Sequence, residues 1–391
     1  MGVSRRFRGE GRAYRGQALQ VLMFNESLTG GGCERNLVEL ATHFDRRQID
    51  TRVLIYHRDF HYAHRLEAAG IPLDVVEKTG QWDFRFALRL GQYIRRVQPD
   101  VIHSFLPTPN FWMKLGRLVG GLPPLVIFFG SIQPSRKEFL LDRVLRDSIA
   151  QVIVNSSTAQ TEAIEHFGFE PERVHLIYNG VDLDVFSPGA APKSLRAELD
   201  VPQDAFLLTV VARVRHEKNH ACLIRALVRL QTAGKLPPHV HGRFVGLRAD
   251  EALILRLEQM LEAAGIGERF RFVGPRSDIP ELLRVSDLMV LPSFFEGCPN
   301  AVQEALAVAV PVVATDVSDN ANLVQVGQNG HLFANDDDED LAGALLKVFE
   351  ASDAERQRMG EAGRAIIEDG YSMAAYCRNT QAVYHRAMEG R

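Results

Sequence analysis

Three short stretches of this 391-residue chain hold residues whose types and spacing could do chemistry. The most specific is Glu296-Gly297-Cys298-Pro299-Asn300, followed by Glu304 with seven residues between the two acids. Pro299 suits the first turn of a helix, which would leave Glu296 in the preceding loop and Glu304 inside the helix. Eight helical residues span only about 12 Å, so one elongated ligand could touch both carboxylates. The second stretch, Arg213-Val214-Arg215-His216-Glu217-Lys218-Asn219, crowds three cations onto a loop after an apolar run. Such a loop suits a diphosphate, with Arg offering a planar fork and Lys a point charge; the plainer reading is a solvated basic loop. The third stretch, Gly30-Gly31-Gly32, lies between a strand-like run and a helix-like one. Glycines there permit close backbone approach and leave free N–H groups at a helix start, which attract phosphate. A mere connector is the alternative, and the absence of GxGxxG spacing weakens a dinucleotide reading.

His216-Glu217-Lys218-Asn219-His220 also spells HExxH. That zinc motif works only when both histidines share one helical face. Asn219 is the expected N-cap of the following helix, so His216 should lie outside it and the match is read as coincidence.

These loops need elements to hold them. Strand-like runs are expected at Leu19–Phe24, Arg52–Tyr56, Val101–Ser104, Leu125–Phe129, Gln151–Asn155 and Val174–Tyr178. Amphipathic segments such as Glu34–Phe44, Phe84–Val97 and Ser157–Phe167 separate them. Strands alternating with helical stretches imply crossover units and a parallel sheet covered on both faces. The chain turns loop-like around Ser187–Pro202, and the pattern restarts at Phe206–Ala212, Val240–Val245, Phe270–Val273, Leu288–Leu291 and Val310–Ala314. The expected fold class is therefore α/β, with two Rossmann-like doubly wound domains over 18–190 and 191–372. A helix over 373–391 follows and is a candidate to pack back on the first domain. Open parallel sheets bind ligands outside the carboxyl ends of their strands, so two such domains would face each other across a cleft.

Composition agrees with an ordinary globular protein: 46% hydrophobic, 24% charged and a net charge of -4, which gives no global argument for nucleic-acid binding. Cys33, Cys222, Cys298 and Cys377 show no metal-ligand spacing and read as reduced thiols of a cytosolic protein. No apolar run approaches the roughly 18 residues of a membrane helix. Residues 1–17 form a basic tail with Arg5, Arg6, Arg8, Arg12 and Arg15, read as disordered, with an electrostatic tether to anionic lipid as the sharper alternative.

Taken in order along the chain, these stretches resemble the family-4 retaining glycosyltransferases of GT-B fold. The resemblance runs from about Leu19 to Tyr371. Besides the glycine loop, Arg213, Lys218 and the Glu296-x7-Glu304 pair, it rests on His103, Tyr178-Asn179-Gly180-Val181-Asp182 with Phe186, Phe272-Val273-Gly274-Pro275-Arg276-Ser277-Asp278-Ile279, and Pro311-Val312-Val313-Ala314-Thr315.

The resemblance implies transfer of a hexose-type sugar from a nucleotide-diphosphate donor, UDP before GDP, to a glycan or lipid-linked acceptor. It implies no metal and no other cofactor. Gly31 and Gly32 would lie against the diphosphate, Arg213 and Lys218 would pair with it, and the strand end around Val273–Ser277, with Val273 and Arg276 as its site residues, would flank the base. Glu304 would hold the ribose, while Glu296 with Gly297, Cys298, Pro299 and Asn300 would hold the sugar; His103 is a further catalytic candidate. Asp182-Leu183-Asp184 reads as structural.

Three departures stand out: Phe105 where relatives often carry a second histidine, Ser318-Asp319-Asn320-Ala321-Asn322 where they carry glycine and then an acid, and Ala309 in place of a usual glycine. Two other readings fit parts of the pattern, a non-catalytic donor-binding subunit and a GT-B nucleotide-sugar epimerase. Basic apolar stretches at Phe84–Arg89, Phe111–Lys114 and Arg136–Arg143 make an anionic membrane surface a candidate contact, at the inner face of the membrane for a cytoplasmic enzyme.

Overall fold

A computed structural model describes residues 18–29, 31–80, 83–118, 122–130, 146–192 and 194–389. The basic tail, Gly30 and the Arg136–Arg143 stretch lie outside the described residues.

Thirteen strands are described, in two sheets. The first sheet holds β1 Leu19–Phe24, β2 Ile49–Ile55, β3 Leu73–Val75, β4 Val101–Ser104, β5 Leu125–Phe129, β6 Gln151–Val154 and β7 Val174–Leu176. The second holds β8 Phe206–Val211, β9 Val240–Val245, β10 Phe270–Gly274, β11 Leu288–Leu291, β12 Val312–Thr315 and β13 Gly330–Phe333. Their orders are β3-β2-β1-β4-β5-β6-β7 and β10-β9-β8-β11-β12-β13. Every pairing described between neighbours is parallel. Helices connect the strands, because a parallel neighbour can be reached only by a long crossover. The two doubly wound, Rossmann-like sheets expected from the strand pattern are present.

In each sheet the order reverses once, between β1 and β4 in the first and between β8 and β11 in the second. Crossovers leave on opposite faces at such a point, so the loops after the two strands diverge and leave a crevice. This places the loop after β8 beside the loop after β11. Side chains on the two faces of the second sheet enter separate cores. One joins β8, β9 and β11 to the helices His220–Thr232 and Asp338–Phe349; the other joins β11 and β12 to the helix Asn300–Ala307.

Two strands, β3 and β13, were not expected. Leu73-Asp74-Val75 is short and follows Pro72, and β13 opens on Gly330. A Cβ on Gly330 would lie 1.9 Å from the Val312 carbonyl oxygen, so only glycine lets β13 close against β12 there.

Backbone contacts divide the chain into two compact units, one of Met1–Val126, Ser148–Ala150 and Tyr384–Arg391 and one of Ile127–Asp147 and Gln151–Val383. The C-terminal helix is Met373–Glu389. Its Tyr384 hydroxyl meets His103 Nδ1 at 2.8 Å within the first unit. Among the described residues no helix is long and apolar enough to cross a membrane. Of the stretches expected at a membrane surface, Trp112, Met113 and Lys114 are buried and face the core. On the helix Phe84–Val97, Arg85 and Leu88 are exposed while Phe86 and Leu90 are buried.

In the second unit Arg243 is fully buried. It donates Nε to the Leu199 carbonyl, Nη1 to those of Gly242 and Arg269, and Nη2 to that of Asp200, all at 2.6–2.8 Å. No carboxylate takes part in these bonds. Burial pushes its guanidinium down to about 10.

Ala309 follows the helix Asn300–Ala307 with φ +63°, the left-handed region that alanine avoids. The Ala309 and Val310 N–H groups bond back to the Leu306 and Ala305 carbonyls, which fixes this turn. Alanine in that conformation costs about 1–2 kcal/mol, and glycine's extra unfolded-state freedom returns about 0.4–1 kcal/mol of that. The balance, about 0–1.6 kcal/mol in favour of glycine, leads us to expect Ala309→Gly to raise the thermal midpoint by up to about 6 °C. Gly360→Ala should lower it, because the new Cβ would sit 1.9 Å from the Ala309 carbonyl oxygen. Differential scanning fluorimetry of the two variants reads both signs.

Candidate active site

The loop after β8 starts by crossing the backbone of Gly246, at φ +155°. A Cβ there would meet the Ala212 carbonyl oxygen at 2.0 Å, so glycine is what lets the loop lie this low. Val214 is buried and anchors the loop, while Arg213 and Arg215 on either side are exposed. Among the described residues Arg213 has no hydrogen-bond or ion-pair partner, whereas Arg215 pairs with Glu217 at 3.4 Å. His216–Lys218 make one turn of 3-10 helix, and Asn219 then reverses the chain at φ +45°. Asn219 caps the helix His220–Thr232 by accepting from the Cys222 N–H at 3.3 Å, and donates Nδ2 to Asp336 Oδ1 at 3.1 Å.

The two histidines of the HExxH string therefore sit on opposite sides of a reversal. His216 stacks on Phe294 with ring centroids 5.0 Å apart. His220 is buried near Phe244 and Phe272, and burial pushes it down to about 4.

The loop after β11 is pinned to this first loop along its length. The Phe294 N–H donates to the Glu217 carbonyl at 3.0 Å, and Asn335 Nδ2 donates to the Phe294 carbonyl at 3.0 Å. Two residues on, Lys218 Nζ and Glu296 Oε1 form an ion pair at 2.6 Å. The Glu296 side chain is 9% exposed and that of Lys218 22%, so water screens the pair poorly and each charge depends on the other.

Pro299 forms the cap of the helix Asn300–Ala307 rather than lying inside its first turn. Glu304 falls within that helix and is buried. Asn300 Oδ1 accepts from Asn179 Nδ2 at 2.8 Å, and the Gly297 carbonyl accepts from Ser318 Oγ at 3.4 Å. Cys298 Sγ accepts from Gln303 Nε2 at 3.1 Å, and burial pushes its thiol up to about 12. It is no thiolate nucleophile at neutral pH.

The site residues at the end of β10 are arranged differently. Val273 is half-buried and packs on the core under that edge. Arg276 spends its fork on Asp278, at 2.7 and 2.5 Å, which places its charge within its own turn.

In the first unit, Gly31 caps the helix Gly32–His43 and Gly32 faces open space. The carboxylate of Glu34 folds back over Gly31: a Cβ on Gly31 would lie 2.2 Å from Glu34 Oε2. Thr29 Oγ1 donates to Glu34 Oε1 at 3.2 Å. The helix start that the sequence marks for a phosphate thus carries the chain's own anion, which a helix N-terminus also favours.

Two family models match the chain: Glycosyltransferase Family 4 over residues 30–185, and Glycosyl transferases group 1 over residues 193–366. The chain belongs to the family-4, group 1 glycosyltransferases. Among relatives, it is 32% identical over 249 residues to D-inositol 3-phosphate glycosyltransferase 1 of Catenulispora acidiphila, a match covering 61% of this chain and 58% of that protein. It is 24% identical over 276 residues to the UDP-Gal:alpha-D-GlcNAc-diphosphoundecaprenol alpha-1,3-galactosyltransferase of Escherichia coli, covering 68% and 70% respectively. Among solved structures, Anabaena HepE in complex with UDP and glucose superposes with TM-score 0.80 at 23% identity, covering 93% of this chain and 98% of HepE. A glycosyltransferase from Rickettsia africae gives 0.85 at 17% identity, covering 96% and 100%. These are glycosyltransferases of GT-B fold, and so is this chain.

The departures of this glycosyltransferase have local physical explanations. Phe105 is buried with its ring centroid 4.1 Å from that of His103. Asp319 accepts from both the N–H and the hydroxyl of Ser157, and Asn322 Nδ2 donates to the Tyr178 hydroxyl at 3.1 Å. Asp182 caps its own turn by accepting from the Asp184 and Val185 N–H groups, the structural role expected for it. Asn179, Tyr178 and Asp319 stand beside the site, yet sequence reading gave them no role there. Their partners are 121 to 162 positions away, so no local spacing marks them.

His103 is fully buried, and with Nδ1 on Tyr384 its Nε2 has no partner among the described residues. Burial pushes the imidazole down to about 3. As pH falls the unfolded chain therefore takes up this proton first. The stabilisation is complete above about 6.5, the ordinary histidine value, and is lost progressively toward about 3. Across that window this one group costs up to about 1.4 kcal/mol per pH unit. His103→Gln is expected to flatten the acid limb of a urea-unfolding series by that slope. An unchanged slope would show that the ring is already charged in the folded protein.

Proposed function

We propose that this glycosyltransferase moves a hexose-type sugar, with retention of configuration, from a nucleotide-diphosphate donor to a glycan or lipid-linked glycan. The observation that carries the reading is the Lys218–Glu296 pair at the point where the strand order of the second sheet reverses. A cation and an acid meet there on the two loops that border a ligand crevice in this sheet class. Lys218, with the exposed Arg213, neutralises the donor diphosphate. Glu296, released from Lys218 as the phosphates take its place, accepts hydrogen bonds from the sugar hydroxyls. Glu304 holds the ribose, and Gly297, Cys298, Pro299 and Asn300 border the sugar.

The bond from the anomeric carbon to the phosphate oxygen breaks as the acceptor oxygen approaches on the same face, and its proton passes to the departing diphosphate. Charge on that leaving group is the principal cost, and preorganised cations offset it. The residues that face the phosphates supply that charge, and the proposal involves no metal ion. UDP is preferred to GDP, in keeping with the Escherichia coli relative named for UDP-Gal and with HepE, which was solved with UDP and glucose. The acceptor is proposed to be presented at the inner face of a membrane, in keeping with the diphosphoundecaprenol in that relative's name.

The test is a panel of UDP- and GDP-sugars on the purified protein, scoring thermal shift and slow nucleotide release. One UDP-sugar is expected to stabilise the protein and to be hydrolysed, with turnover unchanged by EDTA. Lys218→Ala and Glu296→Ala should each lower release by about 100-fold or more, the scale of removing one preorganised stabilising group. Stabilisation without release, even with acceptors added, would favour a binding subunit. No response to any donor would end the proposal.

A further inference from the structure

Three side-chain pairs lie along one seam of the second unit. Each joins the segment around β6 and β7 to a loop at the carboxyl end of the second sheet. Ser157 gives both its N–H, at 2.6 Å, and its hydroxyl to the two carboxylate oxygens of Asp319. Tyr178 Oη accepts from Asn322 Nδ2 at 3.1 Å, and Asn179 Nδ2 donates to Asn300 Oδ1 at 2.8 Å. Asp319 is 4% exposed, and Ser157 begins a helix already capped by Ser156, whose Oγ accepts from the Ala159 N–H. The Ser157 hydroxyl is therefore not needed as the cap and is committed to Asp319.

The loop that carries Asp319 touches the sugar-side loop directly. Ser318, at φ +51°, donates Oγ to the Gly297 carbonyl at 3.4 Å. Asn300, three residues beyond Gly297, is held from the same seam by Asn179. The peptide from Gly297 to Asn300 is thus fixed at both ends by groups outside it. On its other side, Glu296 is fixed by Lys218.

We propose that Asp319 is a positioning residue for the donor sugar. Clamped by Ser157, it fixes residues 316–320, and through Ser318 it sets where the Gly297–Asn300 backbone stands relative to Glu296. It acts on the sugar side, because Arg213 and Lys218, assigned to the diphosphate, make no described bond with the seam. The role in turnover rests on the transferase reading above; the role in holding the loop does not.

Ser157→Ala removes only the hydroxyl, and Asp319→Ala removes both acceptors of the clamp. Two readouts on the full chain separate the claims. Hydrogen exchange of the protein alone should show faster exchange in peptides covering 297–300 in both variants, with peptides covering 213–219 unchanged. With the donor found above, turnover should fall about 10–100-fold while the Kd for UDP stays within about two-fold, and the double variant should be no worse than the poorer single one. Unchanged exchange at 297–300 overturns the positioning role. Faster exchange with unchanged turnover overturns its bearing on the reaction, and so does a parallel loss of turnover and UDP affinity. A wild-type protein that binds no UDP would instead defeat the transferase reading, and the exchange result would still decide whether Asp319 holds the loop.

Discussion

Parallel pairing between β8 and β11 is the constraint from which the rest of the candidate site follows. The two strands run side by side, with Leu288 opposite Leu208 and Met289 opposite Thr209. Both chains therefore leave the sheet at the same edge, about one strand spacing apart, roughly 4.8 Å. Because the order reverses here, no third strand's loop intervenes. Residues far apart in the chain are then within reach: the Glu217 carbonyl and the Phe294 N–H, and one step further out Lys218 and Glu296, 78 positions apart. The apolar strand runs build the sheet by hydrophobic burial, and the polar loops are carried to one another by it.

The site stores charge in compensated form. Half-buried ions are costly alone and tolerable in pairs, and the loops follow that rule: Lys218 with Glu296, Arg215 with Glu217, Arg276 with Asp278. Arg213 breaks the pattern and is exposed, where water carries the cost. An incoming anion that takes Lys218 from Glu296 exchanges one partner for another, so the lysine is never stripped of an opposite charge. The backbone helps at two places. Gly246 lets the first loop cross low over the sheet edge, and Asn219 accepts left-handed geometry and caps the next helix in one residue.

Periodicity made most of the architecture legible. Strands such as Leu19–Phe24 and Leu288–Leu291 have the limits their apolar runs suggest, because a strand covered on both faces is largely apolar; Val101–Ser104 and Val240–Val245 stand where expected although His103, Ser104, His241 and Arg243 interrupt their runs. β3 and β13 escaped because three residues after a proline, or four opened by glycine, carry too little pattern. At the site, residue type was informative where chemistry demands it, as for Lys218, Glu296 and the cap Asn219. It was silent where geometry decides. Nothing in the string says that Glu34 turns back over Gly31, that Arg276 folds onto Asp278, or that Asp319 finds Ser157. The departures from family pattern were visible, and only the fold shows what each packs against.

Arg243 illustrates a different kind of economy. Its guanidinium is held by four main-chain carbonyls, at Leu199, Asp200, Gly242 and Arg269. An ion pair requires two positions in a gene to agree, and a change at either one breaks it. A clamp onto main-chain oxygens asks nothing of the side chains that own them, since every residue type offers the same carbonyl. The clamp then leaves the side chains at Leu199, Asp200 and Arg269 to other pressures, while Gly242 is held separately, since a Cβ there would lie 2.4 Å from the Phe270 ring, and the arginine codon itself is held fast. A lineage could rewrite much of that corner of the protein and still inherit the same tie between the start of its second sheet and the strands beside it.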